Sequence, residues 1–162
     1  MLVKLIRVRG KVNNHPVKWL VGTGATCTVV SDVIPIRKDK IRPATIVPKG
    51  AGGEPLDCLG IATVTVSVGD LKEKEIDVYV VRGLPAIAIL GTDSIQALSG
   101  DSLTFNWKNK EMILGEQRVS MECRWRSERS VRKLYVAEDQ TIAPGTVNRL
   151  LYGLQQMRLR IH

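Results

Sequence analysis

The chain has 162 residues, 44% of them hydrophobic and 25% charged, with a formal net charge of +8. That length suits one domain of ordinary size with at most a short appendage, and the composition excludes an intrinsically disordered chain. No apolar run approaches the ~20 residues of a membrane helix, so no membrane partner is expected.

Taken in chain order, the N-terminal "MLVKLIRVRG" alternates apolar and basic residues. It lacks the long apolar centre of a signal peptide and reads as a first strand, Val3–Val8. Val17–Val21 reads as a second, with "KVNNHP" as the turn between them, because Asn13-Asn14 tolerates positive φ. A glycine loop, Gly22-Thr23-Gly24-Ala25, follows, and then a third strand to about Val33. Pro35, Pro43 and Pro48 argue against a helix in the next stretch.

"VPKGAGGEPLDCLG" holds four glycines between strand-like flanks and reads as a hairpin. "IATVTVSVGDLKEKEIDVYVV" gives two period-two strands around a Gly69-Asp70 turn. Ile87–Leu90 is a short apolar strand broken by Gly91; Asp93 is positioned to cap a short helix that reaches Leu98 and stops at Gly100. "SLTFNWKNKEMIL" is a further hairpin, turning at Lys108-Asn109-Lys110. Residues 116–132 are charged without clear periodicity and read as a linker, and residues 133–162 carry too few strand-like runs to build a core of their own.

The three cysteines, Cys27, Cys58 and Cys123, form no CxxC pair, and His15 and His162 are the only histidines. No metal site and no cofactor are expected, and free thiols fit a reducing, cytoplasmic setting. The positive charge is spread: residues 116–162 and residues 1–115 each carry a net +4. Without a dense basic cluster or many aromatic residues, a nucleic-acid partner is only weakly supported.

The glycine loop admits three readings. A dinucleotide fingerprint needs a third glycine where Cys27 stands, and a helix after it, whereas β-branched residues and prolines follow. A P-loop needs Gly-Lys-Ser/Thr, which is absent. A structural turn is the default on local sequence, the glycines supplying positive φ. A catalytic loop is the third.

The wider order favours the third. Thr23-Gly24-Ala25-Thr26 after the strand Trp19–Val21, the glycine-rich stretch from Gly50 to Gly60, Tyr79-Val80-Val81 with Leu84-Pro85, and Ile89-Leu90-Gly91-Thr92-Asp93 before a helix together resemble the retropepsin-like aspartic proteases of gypsy-type LTR retrotransposon Gag-Pol polyproteins. "VAEDQTIAPGT" resembles the segment that joins protease to reverse transcriptase in them. The resemblance implies a mainly β, closed barrel-like acid-protease fold with one short helix over residues 1–115. Residues 116–132 would then be a linker, and 133–162 a β-rich extension like the protease–reverse transcriptase connection.

The resemblance also implies a homodimer, each chain giving one catalytic loop, that binds an extended polyprotein peptide within the cytoplasm or a virus-like particle. The family's catalytic aspartate falls at Gly22, with Thr23 and Gly24 beside it. Ala25 and the flap residues Lys49, Gly50, Ala51, Gly52 and Gly53 would bind substrate. Thr26 and Thr92 stand where retroviral members often pair an acid with an arginine. Aspartic proteases need two carboxylates sharing a proton, and one substitution in a symmetric dimer removes both. The expected function is a polyprotein-processing endopeptidase domain that is inactive in this chain. The alternative from another class is a non-catalytic dimeric interaction module binding protein or RNA.

Overall fold

Apolar and polar residues alternate along most of the chain, and most of it is accordingly strand. The computed structural model describes residues 2–50, 53–100, 102–127 and 136–137. Its strands are β1 (Leu2–Val12), β2 (His15–Val21), β3 (Val29–Ser31), β4 (Lys49–Gly50), β5 (Cys58–Val68), β6 (Lys74–Val81), β7 (Ala88–Leu90), β8 (Leu103–Asn106), β9 (Glu111–Leu114), β10 (Gln117–Ser127) and β11 (Val136–Ala137). One α-helix, α1 (Thr92–Ser99), follows β7, and a single 3-10 turn spans Lys38–Lys40.

Nine strands form one sheet in the order β2-β7-β3-β6-β5-β1-β10-β9-β8, and β1 also pairs with β2. That extra pairing closes the first six strands into a ring, which gives the barrel-like fold expected. Leu5, Ile6, Trp19, Leu20, Ile89 and Leu90 are all fully buried, and because neighbours in a strand face opposite ways, the strands bury side chains on both faces. Burying side chains of this size contributes roughly 1.5–3 kcal/mol each.

The β1–β2 connection is tighter than the expected six-residue turn. Only Asn13 and Asn14 lie outside the strands, at φ 48° and 67°. Two positive φ values in succession match the right-handed twist of a hairpin, and asparagine is among the residues that adopt them at least cost. The Asn13 side chain accepts the Thr65 N–H at 2.8 Å, and the Asn13 N–H donates to the Thr65 carbonyl at 2.9 Å, tying the turn to β5. The Gly69-Asp70 hairpin and the turn at residues 107–110 fall where the sequence places them.

The linker reading of residues 116–132 is corrected. Residues 117–127 form β10, which pairs with β9 and then with β1 from Val8↔Met121 to Leu2↔Ser127. Its alternation is real: Val119 and Met121 are buried and Cys123 is half-buried, with Arg118, Ser120 and Arg124 outward. The charged outer face hides that period when the strand's partners are not known. The β domain therefore runs past residue 115 to Ser127. Of residues 133–162, only Val136–Ala137 are described; the rest of that expected extension lies outside the described residues.

Burial raises the thiols of Cys58 and Cys123 above their ordinary range, and none of the three cysteines forms a disulfide among the described residues. A raised thiol carries less thiolate at neutral pH, which makes both cysteines poor nucleophiles.

Where β1 crosses the barrel, Gly10 lies against Trp19, whose indole N–H donates to the Ser67 carbonyl at 3.0 Å. A Cβ on Gly10 would overlap that carbonyl and stand 2.6 Å from the indole nitrogen. Gly10→Ala is expected to destabilise the fold by about 2 kcal/mol or more, because backbone on one side and a fully buried indole on the other cannot both yield. Urea denaturation followed by tryptophan fluorescence measures this, and an unchanged midpoint would contradict the packing described.

Candidate active site

The glycine loop sits where β7 passes between the strands on either side of it. β7 lies between the two strands that flank the loop: it runs parallel to β2, Trp19↔Ala88 to Val21↔Leu90, and antiparallel to β3, Val29↔Ile89 and Val30↔Ala88. Parallel partners cannot be joined by a short turn, so this arrangement requires the long excursion through residues 31–87.

The loop's own bonds are few and short. Gly22 donates its N–H to the Leu90 carbonyl at 2.9 Å, Ala25 donates to Gly22 at 2.9 Å, and Thr92 donates to Ala25 at 2.9 Å. Both ends of the loop are thus fastened to the β7–α1 junction. Positive φ occurs at Gly53, Gly60, Gly69, Gly83, Gly100 and Gly115, and Gly22 is not among them. The turn therefore does not demand glycine at position 22, contrary to a purely structural reading of that residue.

Behind the loop a polar cluster is buried. Thr28 and Ser94 are fully buried, and Asp93 is half-buried beside them. The Asp93 carboxylate accepts from the Thr28 hydroxyl at 2.7 Å, the Thr28 N–H at 3.2 Å and the Ser94 N–H at 2.6 Å. The Thr28 hydroxyl in turn accepts from the Gly91 N–H at 3.1 Å and shares a short contact with the Ser94 hydroxyl. Gly91 must be glycine here, since a Cβ would overlap the Cys27 carbonyl. Asp93 was expected as the helix cap. The cap is instead Gly91, without a side-chain bond, and Asp93 sits one residue inside the first turn. Its carboxylate favours that end of the helix dipole and reaches across to Thr28.

The expected site residues separate into two groups. Gly22 is buried, Thr23 and Gly24 are half-buried, and all three lie in the loop. Ala25 was expected to line a groove; in this chain it is fully buried, and its role in the loop is through backbone. The second group is the glycine-rich hairpin. Lys49 is half-buried and Gly50 buried, while Gly53 is exposed at φ +87°. Ala51 and Gly52 lie outside the described residues. The hairpin is closed by Gly50 N–H to Glu54 C=O at 2.8 Å, Gly53 N–H to Gly50 C=O at 2.9 Å, and Leu56 N–H to Pro48 C=O at 3.0 Å.

The segment that leads into the hairpin is held by a feature the sequence reading missed. Arg42 and Ile61 exchange backbone hydrogen bonds of 2.9 Å, and the Arg42 guanidinium meets Asp77 at 2.9 Å. The Thr63 hydroxyl donates to Asp77 at 2.6 Å; that bond, then Arg42, lowers the Asp77 carboxyl below its ordinary range. No local signal marks this anchor, because its parts come from three separate segments. Thr26 lies in the loop and Thr92 opens α1, and Thr26 Oγ1 is buried without a hydrogen-bond partner among the described residues. Also among the described residues, no cluster of His, Cys, Asp or Glu has metal-binding geometry.

A hydrogen bond to a charged acceptor contributes about 1.5–3 kcal/mol, and an orphaned buried hydroxyl costs a further ~1–3 kcal/mol. Thr28→Val and Asp93→Ala are each expected to destabilise by about 2–4 kcal/mol. The double variant should lose less than their sum, because both remove the same bond. Denaturant unfolding of the four proteins measures the coupling; strict additivity would mean that the two side chains act separately.

Comparison with known proteins gives this geometry a family. The sequence profile described as "gag-polyprotein putative aspartyl protease" matches residues 8–97, more than half of the chain. Among solved structures, the retroviral protease-like domain of Ddi1 from Leishmania major is similar at 15% identity and a TM-score of 0.57, covering 73% of this chain and 94% of that one. A retropepsin-like aspartic protease from Rickettsia conorii aligns at 18% identity and a TM-score of 0.46, covering 78% and 96%. The EIAV protease complexed with the inhibitor HBY-793 aligns at 19% and 0.44, covering 60% and 91%. With β7 threaded between the strands of the Gly22–Ala25 loop and the profile spanning that loop, the chain belongs to the gag-polyprotein aspartyl protease family and has the retropepsin-like fold.

Proposed function

We propose that this chain is the aspartic endopeptidase domain of a gypsy-type LTR retrotransposon Gag-Pol polyprotein, in a form that lacks peptidase activity because Gly22 occupies the position of the catalytic aspartate. The carrying observation is the loop itself. Gly22 is the first residue after β2, is buried, and is held at 2.9 Å by the Leu90 carbonyl with a backbone that an ordinary L-residue can adopt. Those bonds and that backbone support reading position 22 as one where an aspartate would fit the loop.

Two carboxylates ~3 Å apart share one proton, so that one accepts a proton from the attacking water while the other donates to the scissile carbonyl. The chain holds one such loop, and the fold supports a homodimer in which a two-fold axis brings two loops together. The unpaired Thr26 hydroxyl in the loop fits that reading, since a partner loop would offer it a bond. An extended polyprotein peptide would lie between the loops and the residue 48–56 hairpins, in the cytoplasm or a virus-like particle.

The neighbouring acids do not replace the missing carboxylates. Asp93 is committed to Thr28 and Ser94. Asp32 follows β3 at its far end, where its carboxylate meets Ser31 and its N–H bonds the Val81 carbonyl. General acid–base action alone contributes ~10²–10⁴-fold, and loss of the positioned water adds to the deficit.

Comparing the chain with Gly22→Asp on a polyprotein substrate, at mildly acidic and neutral pH and with pepstatin present or absent, tests this. The expected result is cleavage by the variant only, blocked by pepstatin, with both proteins dimeric by sedimentation. Cleavage by the unmodified chain would overturn the proposed inactivity.

A second reading, a non-catalytic module that binds RNA, is favoured by one tertiary observation. Arg7, Arg9, Lys18 and Arg118, from β1, β2 and β10, line one groove of about 290 Å³ whose acids are Asp70 and Glu122. Glu122 already pairs with Lys18 at 3.2 Å. On this reading a single-stranded RNA oligonucleotide binds with log K falling against log salt at a slope of about −2 to −3, as expected for three or four phosphates. Binding unaffected by Arg9→Glu with Arg118→Glu would remove it.

A further inference from the structure

The hairpin that covers the site has two edges, and its own closure uses only one. Gly50 spends its N–H on Glu54 and its carbonyl on Gly53, while the Pro48 carbonyl takes the Leu56 N–H. Lys49 faces Pro55 across the hairpin, and proline has no N–H to give. Successive residues of a strand direct their N–H and C=O to opposite edges. The Lys49 N–H and C=O are therefore turned away from the hairpin, toward its outer edge.

That edge is not bare. Val136–Ala137 lies antiparallel along it, with Ala137 opposite Lys49 and Val136 opposite Gly50, as a two-stranded sheet separate from the barrel. The Lys49 backbone group, unused by the hairpin, is thus the one set against the chain's own later segment. β10 ends at Ser127, and the residues between it and Val136 can span up to roughly 30 Å. A tether that short gives the segment an effective concentration on the order of millimolar, more than a free peptide usually reaches.

We propose that the outer edge of β4 is a strand-addition site for extended peptide backbone, and that its resident occupant is this chain's own Val136–Ala137 segment. Main-chain pairing supplies the recognition, as in other cases where a peptide extends an exposed sheet edge. A polyprotein peptide reaching this edge must displace the tethered strand, so the chain masks part of its own peptide-binding surface. The inference rests on the function proposed above only for the identity of the hairpin as the substrate-covering flap.

The test is amide hydrogen exchange, resolved by NMR, on the full chain and on Ala137→Pro and Val136→Ala. Proline at 137 removes the N–H that faces Lys49, whereas alanine at 136 removes no backbone donor. Losing that donor to the Lys49 carbonyl is expected to unseat the strand whose Ala137 carbonyl accepts the Lys49 N–H, so that exchange at Lys49 is about fivefold faster in Ala137→Pro, the equivalent of one hydrogen bond's net contribution. Gly50, bonded inside the hairpin, should be unchanged, and Val136→Ala should exchange like the parent. A synthetic peptide of residues 133–142, KLYVAEDQTI, at millimolar concentration should restore the Lys49 protection.

Unchanged exchange at Lys49 overturns the pairing, and equal acceleration at Gly50 overturns it by showing that the hairpin itself has melted. Protection lost on dilution assigns the strand to a second copy and overturns the tethered occupant. Failure of the peptide to restore protection overturns the strand-addition site. None of these readings involves cleavage, so a failure here and a failure of Gly22→Asp to cut are separate results.

Discussion

The carboxylate of Asp93 holding Thr28 is the interaction on which the rest of the site depends. It joins the strand after the glycine loop to the first turn of α1, across 65 residues of sequence. β7 can thread between β2 and β3 only if the backbone of the following residue passes against Cys27, and Gly91 makes that approach possible. The Thr28 hydroxyl then accepts the Gly91 N–H, so one side chain satisfies both segments at the point of closest contact. Buried polar groups cost free energy when unpaired, and here each of the three finds its partner in the same small cluster.

The consequence for the loop is rigidity independent of its own chemistry. Gly22, Ala25 and Thr92 are fixed through backbone hydrogen bonds, none of which uses the side chain at position 22. The side chain at position 22 can therefore vary without removing any of the hydrogen bonds that hold the loop.

The segment that leads into the glycine-rich hairpin is tied to the β5–β6 pair by Arg42, Ile61 and Asp77, and the hairpin turns at Gly53 in a left-handed conformation. The ion pair is exposed and contributes little on its own, at most about 1 kcal/mol. The paired backbone of Arg42 and Ile61 beside it sets the direction of approach. The exposed edge of such a short strand invites further pairing, and Val136–Ala137 is what stands there.

Much of this was legible without coordinates. Period-two alternation marked the strands of β1, β2, β5 and β6, Asn13-Asn14 and Gly69-Asp70 marked their turns, and Gly100 marked the end of α1, because each depends on neighbours a few residues away. The order of the glycine loop, the glycine-rich hairpin and the Ile89-Leu90-Gly91 strand carried the family. Where contacts are distant in sequence, the reading ran out. β10 passed for a linker because its charged face obscures its period until β1 lies beside it. Asp93 passed for a helix cap because its partner Thr28 is far away in the chain. The Arg42–Asp77 anchor and the basic groove of Arg7, Arg9, Lys18 and Arg118 left no local trace. The sequence by itself determined most of the elements and their turns, since these follow from local propensity and residue identity. Only the tertiary structure decided which strands close the barrel, which polar groups satisfy one another, and which edge the chain covers with its own backbone, since pairing across long separations is set by packing that no single segment encodes.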